Sequence, residues 1–135
     1  MTLIEAKDLR KSRARNIALW VLQVLAAACF LLAAAGKLTG AEPSASTFEA
    51  LGWGDWFRNL VGVLEIVGVV ALFVPLLTGL AALAFAVLMA GAVATEAFVT
   101  GGGVVLPLIL LVVSAVIAWG RRGSIARLRA LVTRR

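Results

Sequence analysis

The 135-residue sequence has no histidine and no tyrosine, and its only cysteine is Cys29. Each absence closes off a chemistry. Without histidine the chain cannot build a His-ligated haem, a His-containing zinc site or a Glu-x-x-His di-iron centre. Nor can it supply the base of a Ser-His-Asp or Cys-His catalytic set. One cysteine allows neither an internal disulfide nor a Cys-x-x-Cys redox pair. Charge is also scarce: 15% of residues are charged, against about a quarter in soluble domains. Chemistry is left to carboxylates, Lys, Arg, backbone groups or a bound cofactor. The isolated chain is therefore expected to have no enzymatic activity of its own.

What is abundant is apolar surface. Hydrophobic residues make up 62% of the chain and the mean hydropathy is +1.03. Four apolar stretches stand out, at residues 17–35, 60–77, 79–95 and 104–119. Each approaches the ~20 residues a helix needs to cross a bilayer's hydrocarbon core. Lipid offers backbone groups no water, so these spans are expected to be helical. The first has a basic lead and an A-x-A-like end at Ala33 and Ala35. Its apolar run exceeds a signal peptide's and three more spans follow, so it reads as a retained helix. The expected fold is all-α, an integral membrane bundle of four transmembrane helices.

Short connections fit that plan. Pro75 and Gly79 bracket a tight turn between the second and third spans. Gly101, Gly102 and Gly103 separate the third and fourth. The longest connection, about 38–59, contains Pro43, a capping-type Ser44 and an aromatic run through Trp53, Trp56 and Phe57. Residues 44–51 are expected to form a short interfacial helix with Phe48 and Leu51 toward lipid.

The net charge is +6, and its placement sets orientation. Lys7, Arg10, Lys11, Arg13 and Arg15 precede the first span; Arg121, Arg122, Arg127, Arg129, Arg134 and Arg135 follow the fourth. Five plus six makes eleven of the 13 basic residues on one side. By the positive-inside rule both termini are expected to be cytoplasmic and the long connection outside. Three regions follow: a basic segment 1–16, a transmembrane domain 17–120 and a basic amphipathic tail 121–135. Charge placed beside apolar spans points to anionic lipid headgroups as partners and not to nucleic acid.

Ionisable residues in the spans are the candidate functional groups, because charge in hydrocarbon is costly. Lys37 ends the first span, Glu65 lies roughly 8 Å into the second and Glu96 roughly 25 Å along the third. All three fall in the outer half of the bilayer and suggest one shared polar site. Arg58, Gly62, Glu65 and Gly68 share a helix face, and the two glycines leave a notch that admits a helix, a ligand or water. Bland readings stand beside this one. Lys37 can simply snorkel, Glu96 can be solvated at the interface, and Glu65 can form a structural ion pair with Lys37. Trp53 and Trp56 are either an interfacial belt or the wall of a site for a flat lipophile such as a quinone. Ala82, Ala86, Ala90 and Ala94 read as a helix-packing stripe. Cys29 reads as an inert packing residue.

The residues Ala34-Ala35-Gly36-Lys37-Leu38, Leu51-Gly52, Gly62-Val63-Leu64-Glu65-Ile66-Val67-Gly68 and the segment around Met89-Ala90-Gly91-Ala92 carry a resemblance. Over about residues 17–120 the chain resembles the DoxX-like family of small four-helix bacterial membrane proteins. The resemblance implies a four-helix membrane bundle. It also implies association with a redox system, since the wider family includes subunits linked to thiosulfate:quinone oxidoreduction and partners of thiol-stress enzymes. Lys37 and Glu65 sit on family-like positions. The third span lacks histidine, where some relatives carry polar residues, which argues against an independent redox activity.

Three functions compete on this basis. The first is a small redox-associated membrane subunit, with a quinone or other lipophile as the candidate ligand of Lys37, Glu65, Glu96, Arg58, Trp53 and Trp56. The second is a small proton-coupled transporter centred on Glu65, although no repeat symmetry supports it. The third is a non-catalytic scaffold for membrane partners. A homodimer and a redox-enzyme partner are both open expectations.

Overall fold

A computed structural model describes residues 2–42 and 44–134. Pro43 and Arg135, named above in the long connection and the basic tail, lie outside the described residues. Among the described residues the chain is helical and contains no strand. Helix α1 spans Leu3–Thr39, α2 Ser44–Leu51, α3 Asp55–Leu72, α4 Thr78–Thr95, α5 Val105–Gly120 and α6 Arg122–Thr133; a π-helical turn, Glu96–Thr100, extends α4.

Helix α1 is longer than the apolar stretch within it. Its start is fixed by a capping box: the Glu5 amide donates to Thr2 Oγ1 at 3.2 Å and the Thr2 amide to Glu5 Oε2 at 2.9 Å. Two orphan amides are satisfied this way, so the basic segment joins the helix. Gly40 ends it in the left-handed conformation, with φ 71°. At 1.5 Å per residue the 37-residue helix is about 55 Å long, beyond the ~30 Å hydrocarbon core. Its buried residues are Leu19, Gln23, Ala26, Ala27, Phe30 and Ala34, one stripe confined to the apolar half. The basic half projects past the packed body.

The packed body is a ring of the four long helices. Helix α1 packs on α3 and α5, and α4 packs on α3 and α5. Its centre is the stacked pair Phe30–Phe85, centroids 3.8 Å apart, with Leu72, Ala82 and Ile117 sealed around it. Gly68 permits that stack: a Cβ there would sit 2.5 Å from the Phe85 ring. The outward faces of the helices remain strongly apolar, with Val63, Leu64, Val67, Val70, Leu83, Val87, Ile109 and Val112 all exposed. Soluble monomers rarely expose so large a contiguous apolar surface.

Two helices are long and apolar enough to cross a membrane alone: α1, and α4 with its π turn. A third span exists if α5 and α6, bent by 60° at Arg121, count together. The other two apolar stretches fall short for visible reasons. Helix α5 has 16 residues and rises only about 24 Å. Helix α3 has 18, three of them the charged Asp55, Arg58 and Glu65.

Several sequence expectations change here. The alanine stripe of α4 is not its packing face, for only Ala82 is sealed while Ala90 and Ala94 are exposed. The buried face carries Ala81, Ala82, Phe85 and Met89, because the facing helices are shaped for the large side chains. Cys29 is exposed and not a packing residue. Gly79 does not shape the turn before α4. A Cβ there would lie 2.6 Å from the Arg121 carbonyl oxygen, so this glycine lets α4 and α6 touch. Helix α2 forms where expected, but Phe48 turns toward Phe57, with centroids 5.7 Å apart.

Candidate functional site

Polar side chains gather at both ends of the packed body. At one end the close of α1 meets the start of α3. Lys37 Nζ lies 2.7 Å from Glu65 Oε1. Glu65 is 0% exposed and the Lys37 side chain 14%. Burial of this kind is tolerated only with a partner, and among the described residues Lys37 is the cation paired with it. The second carboxylate oxygen, Oε2, is buried with no hydrogen-bond partner among the described residues. The helix backbones explain how the pair closes. Where a Cβ on Gly62 would stand, Leu38 and the Lys37 stem lie 3.0–3.3 Å away. The notch expected at the two glycines is therefore filled, by α1 at Gly62 and by Phe85 at Gly68.

Arg58 is one step further out. Its Nε donates to the Lys37 carbonyl oxygen at 2.8 Å and its Nη1 to Asp55 Oδ1 at 3.0 Å. It fastens α3 to the last turn of α1, adding a short bond to a carbonyl that the helix end otherwise gives a long, 3.4 Å one from the Gly40 amide. Trp53 and Trp56 form a separate group. Both pack edge-on against Phe57, with centroids 4.7 and 5.8 Å apart, and both stay exposed. Glu96 stands apart in the π turn, where its Oε2 accepts from Thr100 Oγ1 at 2.9 Å. Of the six residues singled out in the sequence, the structure joins Lys37, Glu65 and Arg58, and leaves Trp53, Trp56 and Glu96 outside.

The opposite end holds a network that the sequence reading missed. Gln23, sealed in α1, donates to the Leu72 carbonyl oxygen at 3.2 Å and accepts from Arg121 Nε at 2.9 Å. Arg121 Nη1 donates to Asn16 Oδ1 at 2.8 Å. Thr78 Oγ1 donates to the Leu72 carbonyl oxygen at 3.0 Å, and the Gly79 amide to Ser124 Oγ at 2.9 Å. One cross-linked patch thus holds α1, α3, α4 and α6. The available signal was Gln23, the only glutamine in the chain and placed inside an apolar span. Such residues bond across helices because hydrocarbon offers them nothing else.

A family model, that of the DoxX-like family, matches residues 21–117. The chain belongs to the DoxX-like family. It is a membrane protein, as its exposed apolar helices require. No curated protein and no solved structure matches it. The span matched to the DoxX-like family includes Lys37, Arg58, Glu65 and Glu96. It stops short of Asn16, Trp20, Arg121, Ser124 and Arg127, so the network at the second end is built partly by flanks beyond that span.

A quinone does not fit between Lys37 and Glu65. The carboxylate is fully covered, both glycine hollows are occupied, and the two tryptophans pack elsewhere. What the pair can do chemically is hold α1 and α3 in register.

Proposed function

We propose that this chain is a non-catalytic, four-span subunit of a bacterial inner-membrane redox system, quinone-linked or serving thiol stress. In this reading residues 1–16 and 121–135 are cytoplasmic and attract anionic headgroups, and residues 17–120 form the membrane domain. Helices α3 and α5 complete the four spans, α3 carrying Glu65 across as part of an ion pair and not as a bare charge. The observation that carries the reading is the sealed Lys37–Glu65 contact: a 0%-exposed carboxylate on a 2.7 Å lysine partner is organised for structure. A lipophilic partner or ligand then meets the protein at the exposed rim of Trp53 and Trp56, where aromatic rings suit the interface. The family membership and the lack of histidine and paired cysteine support a role beside a redox enzyme and not as one.

The test pairs complementation with reconstitution. In membranes from a host lacking the chain, quinone-dependent electron flow is expected to fall and to be restored by the natural protein. A Lys37→Met/Glu65→Met double variant, which removes both charges together, is expected to restore it as well. Proton-coupled flux in vesicles that disappears in Glu65→Gln would instead make the chain a transporter. Normal electron flow without the chain would sink the redox association.

A further inference from the structure

A cavity of about 310 Å³ opens at the Arg121 end, between α1, the α3–α4 turn and the α5–α6 corner. One wall is apolar: Trp20 and Phe73 stack with centroids 6.0 Å apart, and Pro75 continues their surface. The other wall is cationic and belongs to α6 and its approach. Arg121 and Arg127 both line it.

Arg121 has capacity to spare. Its Nε and Nη1 are engaged by Gln23 and Asn16, while Nη2 is buried with no partner among the described residues. Among the described residues no acid forms a salt bridge with the cluster. The salt bridges among the described residues are Lys37–Glu65 and Asp55–Arg58, both at the far end. Burial first, and then the neighbouring Arg15, push the Arg121 guanidinium below its ordinary value, the effect of covered positive charge without a counter-ion. Gly123, also on the lining, sits in the first turn of α6, and the place its Cβ would take is open. The Ser124 amide donates to the Arg121 carbonyl oxygen at 2.9 Å, which leaves the Arg122 and Gly123 amides of this turn without a backbone acceptor among the described residues, at the positive end of the helix dipole and suited to anions.

We propose that this cavity binds one phosphate-bearing anion, with Arg121, Arg127 and the first turn of α6 on the phosphate and the Trp20–Phe73 face on its apolar neck. Arginine suits a phosphate because its planar fork gives two parallel donors. The volume lies at the small end of the ~300–1,000 Å³ range for ligand sites, room for a headgroup and not for a nucleotide. An anionic phospholipid presents this chemistry. Its assignment to the inner leaflet rests on the orientation proposed above; the anion site itself does not. A built pocket with one occupant also differs from the general attraction of basic tails, which has no fixed stoichiometry.

The experiment uses the full chain, delipidated in mild detergent. Phosphatidylglycerol or zwitterionic phosphatidylcholine is returned at fixed ratio, and retained lipid is counted by native mass spectrometry. Inorganic phosphate is titrated separately against thermal unfolding. One phosphatidylglycerol per chain is expected, held about tenfold more tightly than phosphatidylcholine. Arg127→Gln is expected to remove that preference, and since the Arg127 side chain makes no hydrogen bond among the described residues, the fold should survive. Arg129→Gln, whose side chain lines a different groove, is expected to leave it intact. Arg121→Lys, which keeps the charge but loses the fork, is expected to weaken it. A phosphate-induced rise in unfolding temperature that depends on Arg127, without lipid retention, supports the same site filled from solution. Equal retention of both lipids, or equal retention in all variants with no phosphate effect, overturns the proposal. The phosphate arm reads the site whatever the orientation in the membrane, so its failure is separable from failure of the proposed function.

Discussion

The two ends of the bundle solve the problem of polar groups in lipid differently. At the Lys37 end one cation meets one buried anion, 2.7 Å apart, and the charges cancel. At the Arg121 end a guanidinium bonds only to neutral side-chain amides and Gln23 to a backbone carbonyl, while cationic charge collects with no acid bridged to it among the described residues. A self-neutralised end is closed and structural. An end with surplus charge and an open cavity is built to meet something else. The lesson is that the residue most costly to bury, Glu65, is not the one best placed to bind a ligand.

The largest expected effects test the closed end. Lys37→Met strands a fully buried carboxylate and should cost about 3–5 kcal/mol, seen as a large drop in thermal unfolding temperature in detergent. Glu65→Gln should cost less, because Lys37, still 14% exposed, can turn its ammonium toward the headgroups. Reversal of that order would mean that Lys37 is the trapped member of the pair.

At the open end, Gly79→Ala places a Cβ 2.6 Å from the Arg121 carbonyl oxygen, a backbone atom that cannot step aside. A loss of about 1–3 kcal/mol is expected from such overpacking. It should appear as faster proteolysis of α6, because the clash lies where α4 and α6 meet. Gln23→Leu keeps the volume while deleting two hydrogen bonds, for an expected loss of about 1–2 kcal/mol in the same unfolding assay. A neutral outcome there would show that the network is fully rescued by water.

The smallest effect belongs to the rim. Asp55 is 85% exposed in its bridge to Arg58. Asp55→Asn should change stability by less than about 1 kcal/mol, and the effect should vanish at high salt.

Much of the closed end was legible in the sequence, since a Lys and a Glu in apolar stretches stand out and a common depth can be counted in helical rises. Glu96 passed the same depth count yet is not in the pair, because depth along a helix says nothing about direction around it. The alanine stripe misled for a related reason. Small residues permit close approach, but Phe85 and Met89 decided which face of α4 the neighbours accept. Gly79 reads as a turn residue until α6 is seen against it. The open end was obscure because a single uncharged glutamine leaves the long apolar window of α1 strongly hydrophobic, and because Arg121 looked like one more cation in a basic tail. Span number is where length and packing diverge: α3 and α5 belong to the ring by contact, although one is charged and the other short.

A double-mutant cycle on Lys37 and Glu65 bears most directly on the central claim, that their contact is a structural pair holding α1 to α3. The unfolding free energies of the natural protein, Lys37→Met, Glu65→Met and the double variant would be measured in one detergent. The account expects strong coupling, with the double variant recovering most of what Lys37→Met alone loses, since an apolar pair can replace a buried ionic one. Additive losses from the two single variants would contradict it and return Glu65 to the status of an independent functional charge.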